Sequence, residues 1–72
     1  MNRDGMVEHL AQRGGITRAD AELVLAHYRK LRLVTSNVHD GYRVIHGALF
    51  DRVVIRRAMR EARKVQNRGL IG

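Results

Sequence analysis

Two adjacent glycines, Gly14 and Gly15, break the chain between two stretches of helical periodicity, and nothing else in its 72 residues constrains the fold as much. Ahead of them Met6, Val7, Leu10 and Ala11 share one face of a helix running from about Arg3 to Arg13. Asn2 or Asp4 suits its N-cap, and Gly5 weakens its first turn by up to about 1 kcal/mol relative to Ala. Behind them Thr17 caps a second helix, Arg18 to about Arg32, with Asp20 three residues on as a capping-box partner. Ala21, Val24, Leu25, Tyr28 and Leu31 make its core stripe at i, i+3, i+4, i+7 and i+10. Arg18, Glu22, Arg29 and Lys30 occupy its other side. The glycines supply a left-handed turn at little steric cost, with Ile16 tucked beneath it. Such short helices do not stand alone, so this stretch predicts a packed two-helix corner.

The second helix runs straight into Leu33-Val34-Thr35, where β-branched residues favour extended chain. Leu33 to His46 reads as a β-hairpin. Asp40-Gly41 favours a two-residue type I′ loop, Tyr42-Arg43-Val44-Ile45 has strand composition, and Val38 and His39 pair back from the other side. Ser36-Asn37 is weak strand sequence and loosens the tip. Two strands alone are marginal in water, so the hairpin must lie on the helices. Gly47 ends it. A third helix then spans about Leu49 or Phe50 to Gln66, with Gly69 as its stop signal and a frayed tail from Asn67 to Gly72. Phe50, Val54, Ile55, Ala58, Met59, Ala62 and Val65 form its broad apolar face. Arg52, Arg56, Arg57, Arg60, Arg63 and Lys64 cover the rest, relieved only by Asp51 and Glu61.

That last helix explains the net charge of +7. Residues 1–50 carry seven Lys/Arg against five Asp/Glu, whereas residues 51–72 carry seven against two. A nearly neutral body is thus closed by a basic helix, which points to a polyanionic partner. Only two of the fourteen basic residues are lysine. Arginine suits bidentate phosphate contacts, although a GC-rich genome gives the same bias. The length makes one domain, which buries only about 60% of its unfolded surface, so a homodimer interface would add stability. There is no cysteine, which excludes disulfides and thiolate chemistry. The longest apolar run is the four residues Leu23 to Ala26, too short to span a membrane. Met1 to Gly5 lacks the apolar core of a signal peptide, so the expected location is the cytoplasm.

The spacing of small Ala11, turn Gly15, apolar Ile16, then Ala21 and Val24 resembles the helix-turn-helix of DNA-binding proteins. The resemblance widens in GITRADAELVLAHYRKLRLVTSNVHDGYRVI, which looks like the second half of a winged-helix domain: a helix, a leucine-valine exit, and a hairpin wing closed by Asp-Gly. It covers about Val7 to Ile45. It implies one α+β domain, helix–helix–β-hairpin–helix, winged-helix-like, in which the third helix replaces the packing partner that the family places before the corner. It also implies that double-stranded DNA is the partner, bound as a transcriptional regulator or a recombination or phage accessory factor that acts by occupancy. Two half-sites would then call for a homodimer. The family's reading positions map to Thr17, Arg18, Ala19, Glu22 and Leu23, a stretch with few donors for guanine readout. Where many members carry a glycine before the leucine-valine, this chain has Arg32. The opening, MNRDGMVEHLAQRGGITRADAELVL, also resembles the first two helices of bacterial histone-like proteins, but their long β-arms and tip proline are missing.

The candidate nucleic-acid contacts are Thr17 and Arg18 at a helix N-terminus, the wing arginine Arg43, and Arg52, Arg56, Arg57, Arg60, Arg63 and Lys64 on the third helix. The alternative is a protein-interaction module that docks this basic helix on an acidic partner. His9, His27, His39 and His46 form no i, i+3 or i, i+4 pair, so they read as structural or surface imidazoles, His46 filling a strand end, and no metal is expected. Catalysis and cofactors find no support. Ser36 has His39 nearby but no orienting third group, and Asp20 and Glu22 lie on different helix faces. No glycine-rich phosphate loop exists. Three aromatics, Tyr28, Tyr42 and Phe50, are too few for a single-strand stacking platform.

Overall fold

A computed structural model describes residues 1–71, with side chains through residue 67. It is a small α+β domain whose described residues form three α-helices and one antiparallel hairpin, in the order α1 (Arg3–Gly14), α2 (Arg18–Lys30), β1 (Val34–Asn37), β2 (Gly41–Val44) and α3 (Arg52–Ile71). A short 3-10 turn, Gly47–Phe50, joins the hairpin to α3.

The corner forms as its residues require. Asn2 caps α1, its side chain accepting the Gly5 N–H, and Thr17 caps α2 by accepting from Asp20 N at 3.1 Å. Gly15 takes the left-handed conformation, φ 62°, and Ile16 N–H closes on Ala11 O at 3.0 Å. The core gathers Met6, Val7, Leu10 and Ala11 from α1, Ala21, Val24, Leu25 and Tyr28 from α2, Val34 from β1, and Ile55 and Ala58 from α3. The third helix packs against both others, and the hairpin rests on α2 and α1. No helix among the described residues is long and apolar enough to cross a membrane.

Several local expectations need correction. The second helix stops at Lys30, not Arg32. Leu33 N–H reaches Tyr28 O at 2.8 Å and Arg32 N–H reaches Arg29 O at 3.0 Å, the paired bonds of a Schellman end. Arg32 sits at the left-handed position of that motif, φ 61°. Leu31, assigned to the core stripe, is therefore carried round to solvent and is 53% exposed.

The hairpin turn is longer than Asp40-Gly41 predicts. Strand pairing ends at Asn37↔Gly41, leaving Val38-His39-Asp40 as a three-residue loop, with Gly41 alone at positive φ. The Asn37 side chain accepts from both His39 N and Asp40 N, and this Asx turn displaces the I′ geometry. Val38 and His39 thus lie in the loop, not in a strand. The start of the chain joins this edge: the Met1 ammonium donates to Asp40 O, and Tyr42 N–H donates to Met1 O.

At the other boundary Phe50 belongs to the 3-10 turn, half-buried with its ring edge-on to His9 at 4.4 Å. His46 Nδ1 accepts from Ala48 N and so starts that turn. The third helix passes through Gly69, whose helical cost of about 1 kcal/mol does not forbid it. Of the tail expected to fray, Gly72 and the side chains of residues 68–71 lie outside the described residues.

Candidate functional site

The candidate cations divide by helical phase. At 3.6 residues per turn, Arg57, Arg60 and Lys64 stand at i, i+3 and i+7, along one side of α3. That side faces away from the inward residues Ile55, Ala58 and Ala62, and all three cations are exposed. Arg52, Arg56 and Arg63 lie on the adjoining flank, which turns toward the α1–α2 corner.

On that flank much of the charge is already engaged. Arg56 donates from Nε to Gly14 O at 3.0 Å and from a terminal nitrogen to Gly15 O at 3.1 Å. It thereby satisfies carbonyls that the end of α1 leaves without intrahelical partners. Arg63 pairs with Asp20 at 2.8 Å, and the Asp20 side chain is only 18% exposed. Arg52 has its guanidinium beside Gly15, next to that of Arg56.

The remaining candidates are also used locally. Thr17 spends its hydroxyl lone pair on the α2 cap. Arg18 bonds Glu8 at 2.7 Å and lies 3.7 Å from Asp4, tying α2 back to α1. Arg43 lies 4.0 Å from Asp40 across the hairpin loop, and Lys64 lies 3.5 Å from Glu61. The hairpin makes no substantial contact with α3, so the structure does not bring Arg43 together with the α3 cations. Exposed pairs of this kind contribute roughly 0–1 kcal/mol each.

What remains is Arg52, Arg57 and Arg60. Among the described residues they have no acidic partner and make no side-chain hydrogen bond. The arrangement offers exposed guanidinium groups spaced along one helix. The solvent side of α2 carries Arg18, Ala19, Glu22, Ala26, Arg29 and Lys30 with half-buried Leu23. Arg18 is held by Glu8 and Arg29 donates to the Tyr42 hydroxyl at 3.3 Å, so few uncommitted donors stand there.

Sequence reasoning located these cations but not their commitments. The carbonyls held by Arg56 lie about 40 positions away in the chain, and Asp20 lies 43 from Arg63. It also missed the Tyr28 hydroxyl, which donates to Leu49 O at 2.8 Å and fastens α2 to the 3-10 turn. The missed signal was a tyrosine in an otherwise aliphatic stripe, since a buried phenol needs an acceptor. Comparison with known protein families, with curated proteins and with solved structures finds no match to this chain.

Proposed function

We propose that the protein binds the phosphate backbone of double-stranded DNA through α3, with Arg57 and Arg60 on its outer side and Arg52 beside the corner. The observation that carries this reading is that, among the described residues, these three cations on one helix have no acidic partner, on a chain of net charge +7. Soluble surfaces ordinarily intersperse the two signs. Lys64 extends the row at the cost of its exposed pair with Glu61. Arg56 and Arg63 serve chiefly to fix α3 against the corner, which holds the row rigid.

The layout of a two-helix corner followed by a hairpin supports a winged-helix-like reading in which α3, rather than α2, faces the duplex. The donor-poor side of α2 favours binding that follows backbone and shape over base sequence. Such a protein acts by occupancy, which suits an accessory role in transcription or recombination. Fluorescence anisotropy with a random duplex and with shuffled versions of it tests this. The native chain should bind all of them alike, and the triple variant Arg52→Ala, Arg57→Ala, Arg60→Ala should bind each at least about tenfold more weakly. A triple variant as tight as the native chain would overturn the assignment.

A further inference from the structure

Beyond α3's outer row, the molecule has a second surface, where that helix meets α2. Among the described side chains of the third helix, Ala62 is the last that is buried, and Val65 is 45% exposed. Between this helix and α2 runs a shallow apolar groove. Leu23, Ala26, His27 and Lys30 form one wall, and Ala62 and Val65 belong to the other. The groove exists because alanines stand at positions 26 and 62, where larger side chains would fill the space. On α3, Ala62 points away from Arg57, Arg60 and Lys64, whereas Val65 stands about 80–140° round the helix from them, so the groove adjoins the basic row along the Val65 edge.

We infer that this groove docks an acidic amphipathic segment of another protein, which inserts a bulky apolar side chain between Leu23, Ala26 and Val65. Charge complementarity selects this occupant. Among the described residues, the ionisable side chains lining the groove are His27 and Lys30, with no carboxylate. Of the nearby acids, Asp20 is held by Arg63 at 2.8 Å and Glu61 lies 3.5 Å from Lys64, while exposed Glu22 stands on α2 just outside the groove. A second copy would bring a chain of charge +7 against another, which opposes association. An acidic segment meets a positive rim and an apolar floor, the combination by which helical anchors bind grooves. The inference stands independently of the DNA reading.

The test uses the full chain, labelled with nitrogen-15. It is titrated with a synthetic helical peptide carrying leucine anchors flanked by glutamates, and separately with the same peptide bearing lysines in place of the glutamates. The acidic peptide should shift the amides of Leu23, Ala26, Ala62 and Val65, and the lysine version should not. Lys30→Glu should weaken binding by about tenfold. Ala26→Glu, at an exposed helical position that tolerates glutamate, should abolish it while leaving the rest of the spectrum folded. Shifts confined to Arg57, Arg60 and Lys64, or equal affinity in both variants, would overturn the inference. So would a homodimer in sedimentation that Ala26→Glu dissolves. Loss of peptide binding with duplex binding intact would sink this inference alone.

Discussion

Arg32 occupies a left-handed backbone conformation, φ 61°, that disfavours a residue with a Cβ by about 1–2 kcal/mol. Nothing in its surroundings offsets this except the helix end that it completes. Replacing it by glycine relieves the strain but frees the unfolded chain, which returns about 0.5–1 kcal/mol. Arg32→Gly should therefore stabilise the domain by roughly 0.5–1 kcal/mol, seen in thermal unfolding as a rise of several degrees. A lower melting temperature would mean that the arginine side chain makes a compensating contact. Tyr28 gives a second residue-scale test. Its burial pushes the phenol from 10.0 up to about 12, because ionisation would place a charge in the core. The folded state thus prefers the protonated form. That contribution is complete below pH 10 and is lost as pH rises through 12. Denaturant midpoints should fall across that window in the native chain, and Tyr28→Phe should remove this part of the fall. An unchanged profile in the variant would assign the alkaline loss to other groups.

At the scale of elements, the fold depends on how closely α3 approaches the corner. A Cβ on Gly14 would meet the Ile55 Cγ2 methyl at 2.5 Å, so the first glycine of the pair is there for the helix crossing and the second for the turn. Gly14→Ala should cost about 1–3 kcal/mol through overpacking. Combined with Ile55→Ala, the loss should be clearly less than the two single losses together, because the partner of the clash is gone. Strict additivity in denaturant unfolding would contradict this contact. The same pair marks what could be read from the sequence. Helical stripes and caps at Thr17 and Asn2 were legible, since each depends on neighbours within a few positions. Arg32 was noticed where a glycine would suit, although its left-handed φ was not. The three-residue loop was not foreseen, because the Asn37 side chain competes with a strong Asp-Gly signal, and propensity does not rank those energies. The roles of Arg56 and Arg63 were hidden for a different reason. They are set by approach between elements some 40 residues apart in the chain.

On the scale of the whole molecule, a body 39 × 24 × 19 Å carries most of its net positive charge on one long helix, which the core grips over its first half. Arginines that tie α3 down and arginines that face solvent alternate by helical phase, so the first set makes the second rigid. Cations that neutralise phosphates release condensed counterions, which is their signature. The most direct measurement is the dependence of duplex affinity on salt concentration, for the native chain and for the variant lacking Arg52, Arg57 and Arg60. Arg56→Ala serves as a control, expected to lower stability more than the salt slope. If the three arginines each neutralise a phosphate, their removal should flatten the logarithmic slope by about 2.7, at about 0.9 per contact. An equal slope in both proteins would contradict the account.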